Sequence, residues 1–78
     1  MLVTILIMNS SMNDTLDLMV FPLSGGVNFS ITVSLADVLA VEGGELLEGY
    51  TPGDRFRVEL NPRSKEITKV IQKEGTVL

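Results

Sequence analysis

The chain has no cysteine, no histidine and no tryptophan, and its aromatic side chains are limited to Phe21, Phe29, Tyr50 and Phe56. Each absence closes a class of chemistry. Without Cys there is neither a disulfide nor a thiolate nucleophile. Without His and Cys the two commonest transition-metal ligands are missing, and so is the usual base of a hydrolytic triad. Only a hard-cation site built from carboxylates stays open. So few aromatics offer little for stacking on nucleic-acid bases. The lack of Cys suits the cytosol, and a cytoplasmic protein without a cofactor is the expectation.

Long apolar runs are also missing. The longest stretch of this kind, Met1 to Met8, reads MLVTILIM. A membrane-spanning helix needs about 20 apolar residues. The run also lacks the basic segment and small-residue cleavage site of a signal peptide. No membrane partner is expected. The segment reads as a strand buried on both faces, in the middle of a sheet or at a subunit seam.

Positive charge is missing from most of the chain. Residues 1–54 carry seven acidic side chains and no Lys or Arg, a net charge of −7. Residues 55–78 carry six basic side chains against three acidic ones, a net charge of +3, which brings the total to −4. A cationic C-terminal hairpin is the consequence. Arg55, Arg57, Arg63, Lys65 and Lys69 are therefore the candidate contact residues. Such a surface suits an acidic protein, a phosphate, or the acidic two-thirds of a second copy. Lys and Arg also line strands simply to discourage edge pairing. Nucleic acid ranks lower as a partner, because a chain of pI near 4.5 repels a polyanion overall.

What the chain does have is apolar mass in a small package. Of its 78 residues, 45% are hydrophobic, and the mean hydropathy is +0.33. One domain is all that this length allows. Small domains often lean on a partner subunit, and an apolar excess often marks an interface. A homo-oligomer is expected.

The pattern along the chain is β. Asn9 to Asp14 is a polar turn cluster, and Leu16 to Leu23 reads as a strand that Pro22 brings to an edge or a turn. Ser24-Gly25-Gly26 makes a tight connection. From Val27 to Leu35 apolar and polar residues alternate strictly, which predicts one buried and one wet face. Ser34 then caps a helix of about two turns that Gly43 and Gly44 stop. Glu45 to Tyr50 is either a short strand or a helical turn. Thr51-Pro52-Gly53-Asp54 has the chemistry of a type II turn. Phe56, Val58 and Leu60 alternate with Arg55, Arg57 and Glu59. Asn61 to Ser64 is the next turn, and Ile67 to Gln72 is the hairpin partner; Ile67 and Ile71 share a face that Val70 does not, which a bulge near Lys69 or burial of both faces would reconcile. Gly75 closes the ordered part, and Thr76 to Leu78 is a loose tail or a docking segment. The fold class is mainly β: a small barrel or compact sandwich of five to six short strands with one short helix.

Catalytic constellations are weak. Ser64 and Lys65 are adjacent, so on a strand they point to opposite sides. Glu42, Glu45 and Glu48 recur every three residues but read as solvated loop acids. No enzyme is expected.

One stretch carries a resemblance. Ile31 to Leu39, followed by Tyr50-Thr51-Pro52-Gly53-Asp54-Arg55-Phe56-Arg57-Val58-Glu59-Leu60, is similar to the strand, short helix and Pro-Gly-Asp turn of swapped-hairpin AbrB-type transcription regulators. The resemblance implies an intertwined β dimer that binds DNA. The stretch between helix and turn is longer than in that family, and residues 1–54 offer no cation to DNA. The leading expectation is a non-enzymatic interaction or structural module that self-associates. The alternative is a small nucleic-acid-binding regulator of the AbrB-like kind.

Overall fold

The computed structural model describes residues 1–10 and 14–76. The tail Val77-Leu78 and the middle of the Asn9–Asp14 turn cluster lie outside the described residues. Five strands form one antiparallel sheet: β1 (Leu2–Ser10), β2 (Thr15–Pro22), β3 (Phe29–Ser34), β4 (Asp54–Asn61) and β5 (Glu66–Thr76). A short helix α1 (Leu35–Leu39) and a 3-10 turn (Gly44–Leu47) connect β3 to β4.

The spatial order is β3-β2-β1-β4-β5. The first four strands thus form a Greek key: three joined in sequence, with the fourth returning to lie beside the first. The apolar N-terminal segment takes the central place, as its sequence predicts. The sheet curls until Lys65, in the β4–β5 turn, stands 4.7 Å over the ring of Phe29 on β3. It stops short of closing, because β3 and β5 remain the two edges.

Alternation decides which side chains are buried. Val3, Ile5 and Ile7 of β1 lie inside with Leu16, Leu18 and Val20 of β2 and Phe56, Val58 and Leu60 of β4. Ile67 and Val70 of β5 join them, and Val38 of α1 and Leu47 of the 3-10 turn plug the concave side. Each such side chain contributes about 1.5–3 kcal/mol on burial. The Thr51–Asp54 turn forms as its residues dictate: Asp54 N–H donates to Thr51 O at 3.1 Å, and Gly53 takes φ +97°. The N–H of Gly53 also donates to Ile7 O at 2.7 Å, which hangs the turn on β1.

Four expectations are corrected. Met1 to Met8 is not buried on both faces, since Leu2 and Met8 remain 48% and 41% exposed on the convex side. Val27 does not belong to the third strand. The β2–β3 ladder stops at Val20 opposite Phe29, and Val27 is 86% exposed in the connection. The helix is one turn rather than two, and Ser34 stands at its cap without a side-chain bond. The physical reason is tertiary. The chain must leave the helix so that Glu42 O can accept the N–H of Val70 at 2.8 Å. Gly43, at φ +80°, follows at once, and a Cβ there would stand 1.9 Å from Val70 O. Finally, Ile67 shares the buried face with Val70 rather than with Ile71. Register shifts skip Thr68 and Ile71 and leave Ile71 38% exposed. The bulge expected near Lys69 is thus present, and more than one is needed.

Candidate interaction surface

The convex face of the sheet can be read from the register. Leu6 pairs with Met19 on one side and Arg55 on the other. Thr4 pairs with Phe21 and Arg57, and Leu2 pairs with Glu59. Met8 sits where the β1–β2 register shifts, with Asn9 opposite Asp17. An apolar stripe of Leu2, Leu6, Met8, Met19 and Phe21 therefore runs over the two middle strands. Leu6, Met19 and Phe21 are half-buried. Acid marks the β2 side of this stripe, through Asp17, and the β4 side carries Arg55 and Arg57 together with Glu59.

The five cations singled out from the sequence divide among three places. Arg55 and Arg57 project from the convex face of β4. Arg57 is half-buried, and its Nη2 donates to Glu74 Oε2 at 2.8 Å. Glu74 also accepts the hydroxyl of Thr4 at 2.6 Å, so one carboxylate ties β1, β4 and β5 together. Arg57 Nε is buried without an acceptor among the described residues. Arg63 and Lys65 lie at the exposed hairpin tip, where Lys65 takes φ +61°. Lys69 stands on the edge strand and pairs with Glu42 at 3.5 Å. Lys73, a sixth cation, reaches Asp54 at 3.5 Å.

Sequence reasoning passed over Asp54. It is the buried charged residue among the described residues, 1% exposed, and its carboxylate accepts Thr51 N–H at 2.9 Å and Thr51 Oγ1–H at 3.2 Å. A signal was available: an acid directly after a Pro-Gly turn can accept bonds from its own turn. Glu42, Glu45 and Glu48 do not assemble with other acids into a group able to hold a metal among the described residues.

No helix among the described residues is long and apolar enough to cross a membrane. No protein-family model, curated protein or solved structure matches the chain.

Proposed function

We propose that this protein is a non-enzymatic interaction module that self-associates, and that the convex face of its sheet is the contact. The observation that carries the reading is the apolar stripe on the central strand, with Leu2 and Met8 each more than two-fifths exposed. Exposed apolar side chains grouped on one face of a small domain favour an interface. The charge layout supports a second copy as partner. A two-fold axis along the stripe would bring β2 of each copy, with Asp17, toward β4 of the other, with Arg55, a self-complementary arrangement. The orphaned Arg57 Nε adds weight. Such a donor costs about 1–3 kcal/mol, and uncompensated polar groups gather at functional surfaces.

The test is absolute mass by light scattering behind a sizing column, at low and high salt. An oligomer is expected, weakened at high salt where the Asp17–Arg55 contacts are screened. Reversing Arg55 and Arg57 to Glu should weaken it further. Arg55→Glu alone is the cleaner variant, because Arg57→Glu also sets two carboxylates together at Glu74. A monomer under both salts would end this proposal. Nucleic-acid binding ranks lower because Arg57, Lys69 and Lys73 are each already in an ion pair. Titration of duplex and single-stranded DNA at low salt checks it.

A further inference from the structure

We infer that the cleft between the two open sheet edges is a docking site for one extended peptide strand, supplied by another protein. This site is independent of the convex face. Between β3 and the β4–β5 turn lies a cleft of about 500 Å³. Its walls are runs of consecutive residues, Ile31 to Ser34 on one side and Ser64 to Ile67 on the other. Successive residues of a strand point to opposite faces, so the four in a row on β3 can border a space only if it meets that strand edge-on. The cleft therefore abuts backbone as well as side chains.

The two edges also define what fits. Among the described residues β3 is paired only with β2, and β5 only with β4 apart from its bridge at Glu42. Unclaimed strand edges offer a row of amide donors and carbonyl acceptors, which an added strand satisfies and a helix does not. The floor is apolar, made by Val38 and Val41 of the α1 region with Ile31 and Ile67. Every second side chain of an inserted strand would point into it. Rim charge sets the rest. Asp37 and Glu66 border the cleft as acids, while Lys65 is turned onto Phe29. A complementary peptide alternates apolar and polar residues and carries Lys or Arg to meet Asp37 and Glu66. Lys65, turned onto Phe29, lies where the two walls come together, so a short segment suffices. The six residues of β3 are covered by about six residues of an added strand at about 3.3 Å each.

The experiment is selection from a phage-displayed library of random eight-residue peptides against the full chain. Peptides with alternating apolar residues and a basic residue should be enriched. Adding one to labelled protein should shift the amide signals of residues 31–34 and 64–67. Methylating a central peptide nitrogen should abolish binding. Asp37→Lys, at an exposed position, should weaken binding about tenfold while the rest of the amide spectrum stays unchanged. The inference is overturned if no sequence is enriched. It is equally overturned if the peptides shift residues 19–21 and 55–59 on the convex face, or bind undiminished after methylation. A small apolar molecule that fills the cleft while no peptide does would overturn it as well.

Discussion

The two faces of this sheet are made by the same five strands, yet they follow different rules. On the concave face each apolar position is filled by a side chain from another element, and Val3, Ile5, Phe56 and Leu60 are fully buried. On the convex face Leu6 pairs with Met19, Phe21 follows two residues along β2, and all three stay half-buried. A strand's alternation determines that it has two faces. Whether the second face is wet or covered by another molecule depends on what is packed there. The contrast teaches that apolar content alone overstates how much of this chain serves its own core.

Substitutions on each face would sharpen that contrast. The largest effect is expected at Phe56. Phe56→Ala empties the middle of the concave face and should cost about 3–5 kcal/mol, read by urea unfolding. A domain of this size has little stability to lose, so a largely unfolded chain at 25 °C is within that outcome. Gly43→Ala should follow at about 1–3 kcal/mol, since it forces a side chain at φ +80° against the carbonyl of Val70. Asp54→Ala should cost about 1–3 kcal/mol, because it strips the Thr51 N–H of its acceptor and Lys73 of its partner. Met8→Lys belongs to the other face. It should leave unfolding of the subunit within about 0.5 kcal/mol but shift the mass in light scattering toward the monomer. An equal loss of stability from Met8→Lys and Phe56→Ala would erase the distinction between the faces. Among the changes that weaken the fold itself, the smallest loss in urea unfolding is expected at Lys65→Ala, which removes a cation from the Phe29 ring worth about 0.5–1 kcal/mol at an exposed site.

Much of the architecture was legible because it is local. The alternation over Arg55 to Leu60 and the turn chemistry of Thr51 to Asp54 need no knowledge of distant residues. The central place of β1 was one of the two places that its nearly continuous apolar run suggested, the other being a subunit seam. What was hidden depended on contacts across the chain. Helix α1 ends early because Glu42 is drawn to Val70, twenty-eight positions away. Val27 continues the alternation of its strand and yet has no partner, since β2 has reached Pro22. The candidate cations looked like one group because they are close in sequence. The bulges of β5 and the hairpin turn scatter them over a face, a tip and an edge. The cleft was invisible for the same reason, as its walls come from β3, α1 and the β4–β5 turn.

The position of β1 also sets a timetable. One side of β1 is satisfied by β2, a few residues downstream, whereas the other waits for β4, where Leu2 meets Glu59 and Leu6 meets Arg55. At a ribosomal pace of about 5–20 residues per second, several seconds separate the appearance of the first strand from that of its second neighbour. During that interval the most apolar segment of the chain has an open side. Closing a long loop is the slow step in pairing of this kind. The newborn chain therefore passes through a stage in which its eventual centre is its stickiest border, and crowding by sibling chains at that moment favours wrong pairings over the right one.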